Sequence, residues 1–402
     1  MPITPSVSDP ANDFTHHPLT KAIHSPDGAF NGLAPALDPS VTFPAGDDGL
    51  DGEYIYGRTC HPTGDACACA LAAMEGAETC LTTNSGMAAI STVLLALLGK
   101  GDHVVAPNIM YQPTRYLLGD LLAKNGVEVT FVDARHVESY AASARPNTKL
   151  AWIESPANPT LDLTDFEAVA SWARERGIIS VADNTFATPM GSLPLSWGVD
   201  IVVHSATKFL AGHGDLLAGA ILTRRDLKNR ILPWLDHLGS ALNAHGAWLL
   251  RRGIATFPLR FERHQANAQF LAEQLLNHPK VKAVHYPGLS QHPQRELFEK
   301  QMRGAGGVLS FEIDGDEESA RRFLVGLKLC AIARSLGEPR SLVAHPWSMH
   351  YKALTAAEKT QAGVPETLIR LAVGLEDAAD IYADIESGLE AATNLPSVRI
   401  NV

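Results

Sequence analysis

The chain has 402 residues, more than one ordinary core accommodates, so two domains or one large α/β unit are expected. Its 46% hydrophobic and 19% charged residues are ordinary for a globular protein, and the formal net charge of −11 argues against non-specific binding to nucleic acid. No apolar run reaches the roughly 18 residues of a membrane span, and the N-terminus lacks the basic-then-apolar pattern of a secretory signal, so a cytoplasmic protein is expected.

Residues 1–55 are rich in Pro, Gly, Asp and Ser and read as an extended arm. From Thr63 onward helical and strand-like segments alternate. Helices are expected at 65–76, 86–98, 111–125 and 163–176. Strands are expected at 79–83, 103–106, 127–132, 150–153, 178–182, 201–204 and 218–222. Strands separated by helices of this length predict a mostly parallel, seven-stranded sheet covered on both faces, an α/β fold. A long helical region follows, at 226–277, with interruptions expected at Pro233 and Pro258. The pattern then changes to strands at 306–312, 331–333 and 369–373 and helices at 317–326 and 378–391, which predicts a smaller α+β domain. The expected division is therefore an arm at 1–55, a large domain at 56–254 and a C-terminal domain at 255–402.

Four of the five cysteines (Cys60, Cys67, Cys69 and Cys80) crowd into one stretch, but no Cys-x-x-Cys pair occurs there and the setting is alanine-rich. Small buried thiols, with no metal site, are the expectation.

The segment Val202-Val-His-Ser-Ala-Thr-Lys208 carries the chemistry. It sets Lys208 just past an apolar strand, with Ser205 and Thr207 as hydroxyl neighbours and a glycine-bearing loop behind it. A lysine so placed can form a Schiff base, and the hydroxyls can bind a phosphate. Upstream, Asp183 ends another apolar run, where a carboxylate can pair with a pyridine nitrogen. Together these residues fit pyridoxal 5′-phosphate; taken singly, Lys208 reads as a surface lysine and Asp183 as an ordinary turn residue. Ser85, Gly86 and Met87 open an apolar helix, which suits either a phosphate or a simple capping turn. Arg370 lies inside an apolar strand and needs a partner, either a substrate carboxylate or a structural ion pair.

These motifs, with Tyr56-Gly-Arg58, Asn84-Ser-Gly-Met-Ala-Ala89, Glu154-Ser-Pro-Ala-Asn-Pro-Thr160, Ser335-Leu-Gly337 and Ile369-Arg-Leu-Ala-Val-Gly-Leu-Glu-Asp377, resemble the Cys/Met-metabolism group of fold-type I pyridoxal phosphate enzymes. The resemblance covers nearly the whole chain from about residue 54. It implies phosphate binding at Ser85, Gly86, Met87, Ser205 and Thr207. It also implies that Tyr111 stacks on the cofactor ring and assists proton transfer, and that Asn158 lies near its phenolic oxygen. Arg370, helped by Ser335, would clamp the α-carboxylate of an amino-acid substrate. Tyr56 and Arg58 match residues that reach the phosphate of a neighbouring subunit, which implies a dimer as the minimum unit and a homotetramer as the usual assembly.

The implied reaction is elimination of a γ- or β-substituent from a sulfur-containing or homoserine-type amino acid, with γ preferred. Lys208 would take the α-proton. The alternatives are γ-replacement, as in O-acyl-homoserine sulfhydrylase or cystathionine γ-synthase, β-elimination, as in cystathionine β-lyase, and a non-catalytic cofactor-binding homologue. Two departures bear on the choice. Tyr111-Gln-Pro-Thr114 lacks the cysteine typical of methionine γ-lyases, and Arg340 replaces a glutamate of many cystathionine-handling members, which would attract an anion at the substrate's distal end.

Overall fold

The computed structural model describes residues 17–24, 34–46, 52–352, 354–361 and 363–394. Seven strands form the first sheet: β1 (Thr79–Thr83), β2 (His103–Pro107), β3 (Glu128–Val132), β4 (Thr148–Glu154), β5 (Ile179–Asp183), β6 (Ile201–His204) and β7 (Gly219–Thr223). Their order is β1-β7-β6-β5-β4-β2-β3, parallel throughout except that β7 runs against both of its neighbours. Every residue of β2, β6 and β7 is buried, because helices cover both faces; this is why these strands read as continuous apolar runs rather than alternating ones. The polar exceptions are partnered: the two ring nitrogens of His103 meet Thr148 Oγ1 at 2.8 Å and Thr130 Oγ1 at 2.9 Å, His204 Nε2 meets Glu75 Oε2 at 3.0 Å, and the Thr223 hydroxyl donates to the Asp200 carbonyl at 2.7 Å.

One face of the sheet packs Ala182, Val202 and Ala220 against helices Pro62–Glu75 and Phe166–Arg174. The other packs Val181, Val203 and Ile221 against helices Gly86–Leu97 and Arg225–Leu238. Cys67 and Cys80 are buried in the first of these cores. Among the described residues, no three His, Cys, Asp or Glu side chains gather as a metal would require, and no helix is long and apolar enough to cross a membrane.

A second sheet joins β8 (Val281–His285), β9 (Val308–Ile313), β10 (Ala331–Ile332), β11 (Leu342–Ala344) and β12 (Leu368–Ala372) in the order β10-β11-β12-β9-β8. Phe311, Leu371 and Val343 pack there on Phe323, Ile381 and Ile385 of helices Glu317–Gly326 and Ala378–Asn394. The strands β8 and β11 were not expected from sequence: one is a half-buried edge and the other only three residues long.

The expected interruptions at Pro233 and Pro258 do not occur. Both prolines lie inside helices, and the break falls instead at Gly239 (φ 67°), ahead of the 33-residue helix Ala244–Leu276. Burial of Leu227, Ile231 and Leu235 around one proline, and of Phe257 and Phe261 around the other, holds the chain helical through the lost hydrogen bonds. Near Pro258, Arg260 Nη2 donates to the Gly253 carbonyl at 2.6 Å. This helix runs through residue 255. The expected helix at 111–125 is wound as Gln112–Tyr116 followed by a wider π turn over Leu117–Leu122. Within 1–55, much of which lies outside the described residues, a short helix, Pro18–His24, lies against Arg251, whose Nη1 donates to the Ala22 carbonyl at 3.1 Å.

Candidate active site

Parallel strands end together, and this chain puts its polar residues at those ends. Glu154 closes β4 directly beside Asp183, which closes β5; Ser205 follows β6. Asp183 Oδ1 accepts from the Thr185 amide at 3.0 Å and the Thr185 hydroxyl at 2.5 Å, while the Ser205 amide donates to Thr185 Oγ1 at 2.8 Å. Glu154 accepts from the amides of Tyr111 (2.8 Å) and Asn158 (3.0 Å), fixing both loops. Burial pushes both carboxyl groups above their usual range, and the Asp183 charge raises Glu154 further. A protonated pyridine nitrogen beside Asp183 would reverse that effect there and keep the carboxylate ionised.

The second part of the site is an anion cradle. Ser85 caps helix Gly86–Leu97, its Oγ accepting from the Ala88 amide at 3.1 Å, and the first intrahelical bond is Ala89 N to Ser85 O. The amides of Gly86 and Met87 thus lead the helix without an intrahelical acceptor. Gly86 is pressed against Ser205, where an added Cβ would stand 2.6 Å from the serine Cβ. Ser205 Oγ has no bond among the described residues, so its proton is free for an anion. Thr207 is placed differently: its hydroxyl donates to the Ala218 carbonyl at 3.1 Å and accepts from the Ala218 amide at 2.9 Å, which braces the loop that carries Lys208.

Lys208 Nζ donates to Ser335 Oγ at 3.0 Å. The carbonyl of the same serine accepts from Arg370 Nη2 at 3.1 Å, and Arg370 Nη1 donates to Asn158 Oδ1 at 3.0 Å. Gly337 (φ 77°) lets this turn sit on the Lys208 backbone, since a Cβ there would meet Phe209 N at 2.5 Å. Arg260 secures the other side, its guanidinium donating to the carbonyls of Phe209 and Leu210. Burial, then the Arg370 charge, lowers the pKa of Lys208, with Glu338 opposing. Arg370 itself is buried, makes no ion pair among the described residues, and is lowered to about 10 by burial. A guanidinium held by two neutral oxygens is set to receive a carboxylate.

The other expected site residues are distributed as follows. Tyr111 is 37% exposed at the head of helix Gln112–Tyr116, and burial followed by the charges of Asp183 and Glu154 pushes its hydroxyl up. Tyr56 and Arg58 are not drawn to Lys208: both are exposed, Arg58 pairs with Asp236 at 3.1 Å, and its guanidinium lies 5.5 Å from the Tyr56 ring centre. Arg340 is exposed, and no hydrogen bond or ion pair links it to the Lys208 cluster among the described residues. Sequence reasoning assigned no role to Glu154, Thr185 or Arg260. Only Glu154 leaves a signal, as an acid closing the apolar run Leu150-Ala-Trp-Ile153.

Residues 20–390 match the family described as Cys/Met metabolism PLP-dependent enzyme. The chain belongs to that family. It is 44% identical to the L-methionine γ-lyase of Fusobacterium nucleatum over 340 residues, which cover 84% of this chain and 86% of the relative. Identity to the cystathionine β-lyase of Bacillus subtilis is 39% over 375 residues, 92% of this chain and 96% of that one. The fold overlays the crystal structure of cystathionine γ-synthase from Xanthomonas oryzae pv. oryzae, solved with aminoacrylate and cysteine, at a TM-score of 0.90 and 36% identity, covering 94% and 98% of the two chains. The architecture is therefore that of fold-type I, and the protein is a pyridoxal-phosphate-dependent lyase.

The residues present fit the cofactor. Ser85, Gly86, Met87 and Ser205 would hold its phosphate, in a cradle that any side chain at 86 would fill. Asp183 would meet the ring nitrogen, Tyr111 the ring face and Lys208 the aldehyde carbon.

Proposed function

We propose that the protein eliminates a γ-substituent from a sulfur-containing or homoserine-type L-amino acid. For a thioether substrate, one water enters and a thiol, a 2-oxo acid and ammonia leave. The observation that carries this reading is the bridge through Ser335: its hydroxyl holds Lys208 Nζ and its carbonyl holds Arg370, so an amino acid clamped at Arg370 has its α-carbon beside the Lys208 amine. Bound pyridoxal phosphate supplies an electron sink that acidifies the α-carbon. Lys208 Nζ removes the α-proton, and Asp183 keeps a proton on the ring nitrogen. A γ-leaving group also requires loss of a proton from the β-carbon, and the Lys208 amine and Tyr111 hydroxyl are the groups in place to move it. The likeness to a methionine γ-lyase supports γ over β elimination.

The second reading is γ-replacement, favoured by Arg340 in the glutamate position and by the likeness to a cystathionine γ-synthase. In the same proposal Tyr56 and Arg58, exposed in their own chain, complete the phosphate site of a neighbouring subunit, in a homodimer that pairs into a cytoplasmic homotetramer. The organisation is an arm at 1–55, a cofactor domain at 56–254 and a C-terminal domain at 255–402.

The test is mass spectrometry of the products of cofactor-loaded protein with methionine, cystathionine, homocysteine, O-acetylhomoserine and canavanine, each with and without added thiol. Oxo acid without thiol is the expected result. A new thioether formed only with thiol, and no oxo acid, would replace the lyase reading with the replacement one.

A further inference from the structure

Beneath the strand ends that carry Asp183 and Ser205 lies a polar cluster that none of these steps uses. Side chains alternate along a strand, so Asn184 and His204 follow Ala182 and Val202 onto the face covered by helix Pro62–Glu75. There the Glu75 carboxylate joins them: Asn184 Nδ2 donates to Oε1 at 3.1 Å, and His204 Nε2 lies 3.0 Å from Oε2. All three side chains are buried. Thr185 makes a second link, accepting from the Ser205 amide at 2.8 Å and donating to Asp183 Oδ1 at 2.5 Å. Between the two links the Asn184 amide donates to the Val203 carbonyl at 3.0 Å. The ends of β5 and β6 are thus tied twice by side chains, and Asn184 and His204 are the immediate chain neighbours of Asp183 and Ser205.

The cluster is unfavourable to bury. Glu75 is the last residue of its helix, where the dipole disfavours an anion, and burial pushes its pKa up against the hydrogen bonds from His204 and Asn184. Asn184 Oδ1 and His204 Nδ1 are buried without a hydrogen-bond partner among the described residues. A buried pair of this kind commonly stabilises a fold no better than apolar side chains of the same volume. Stability alone does not account for it; its place beneath Asp183 does.

We propose that Glu75 is a positioning residue: by holding Asn184 and His204 together it fixes the ends of β5 and β6, so that the Asp183 carboxylate meets the ring nitrogen of the cofactor. The proposal rests on the reading of Asp183 as the partner of that nitrogen. Glu75 itself touches neither cofactor nor substrate.

The experiment is fluorescence titration of the apoprotein with pyridoxal phosphate and with its deaza analogue, in which C–H replaces the ring nitrogen. The ratio of the two affinities reads how well Asp183 meets the nitrogen, whereas general damage weakens both alike. Glu75→Met combined with His204→Leu removes the link without leaving a buried charge. Asn184→Leu removes its β5 half and leaves the Glu75–His204 pair. Whichever keeps the wild-type thermal midpoint is read, and its ratio is expected to fall about tenfold. Glu75→Gln should keep the ratio within about twofold, because its amide offers an oxygen to Asn184 and an N–H to a neutral His204. By reciprocity, exchanging the ring nitrogen for carbon should shift the His204 ring 15N resonances of the wild-type enzyme, a readout that needs no variant. An unchanged ratio, both affinities lowered alike, a ratio lost equally in Glu75→Gln, or identical His204 resonances would overturn the proposal. An Asp183→Asn control separates the two claims. If that control leaves the ratio unchanged, the assignment of Asp183 is wrong; a fall there without one in the link variants removes only Glu75.

Discussion

Lys208 sits where burial and the Arg370 guanidinium both disfavour an ammonium. Its amine is thus available as nucleophile and base below the ordinary lysine range. The apoprotein should take up cofactor at a rate that rises with pH and levels off below the unperturbed value of 10.5. Glu338 works against that depression, so Glu338→Gln should move the midpoint lower still; stopped-flow absorbance would show it, and a move upward would contradict the assignment. Asp183→Asn keeps the shape but loses the charge that faces the ring nitrogen, and kcat should fall by about a hundredfold or more with little change in KM. Steady-state kinetics decide this, and an unchanged kcat would remove Asp183 from the mechanism. Lys208 and Asp183 could be found in the sequence because each ends an apolar strand in a recognisable setting. Thr185 could not, since its role exists only once Ser205 is laid against it.

Strands and helices place these groups through their ends. The cradle depends on a helix that starts at Gly86 with no side chain between its first turn and Ser205. Gly86→Ala introduces a contact with backbone and a short side chain, neither of which can swing away, so the cradle must open. Cofactor affinity should drop by about tenfold or more, measured by fluorescence titration of the apoprotein, while an unaltered affinity would place the phosphate elsewhere. All seven strands of the first sheet could be read in the sequence: β2, β6 and β7 because full burial leaves a nearly continuous apolar run, and β1 and β3 because short β-branched segments stand between helical ones. The prolines misled for a physical reason: the penalty of Pro233 and Pro258 is local, whereas the packing of Ile231, Leu235, Phe257 and Phe261 that outweighs it is tertiary. At Arg340 the sequence showed an unusual residue but not where its side chain would stand.

At the scale of the molecule, the site lies where the two sheets meet. The first provides Asp183 and the Lys208 loop; the second provides Arg370, with Ser335 between them. His264 lies behind this junction, fully buried, with Nδ1 2.6 Å from the Val373 carbonyl and its ring edge-on to Phe209. Burial depresses its pKa to about 4. A histidine kept neutral in the folded state gives stability that is present above its unfolded value of 6.5 and is lost as pH falls towards 4. Denaturant unfolding should therefore show stability declining across that window, and His264→Gln should flatten the decline; an equal slope in the variant would assign it to other groups. This coupling could not be read from sequence, because His264 lies mid-helix among residues of mixed polarity.

The central claim is that the Lys208, Asp183 and Arg370 cluster carries out γ-elimination. The most direct test is NMR of the product formed from L-methionine by the cofactor-loaded enzyme in D2O. The expected product is 2-oxobutyrate labelled with deuterium at both the β- and γ-carbons, because a proton must leave the β-carbon before the carbon–sulfur bond breaks and the γ-carbon is protonated from solvent afterwards. Methionine recovered with deuterium at the α-carbon alone, and no oxo acid, would contradict it.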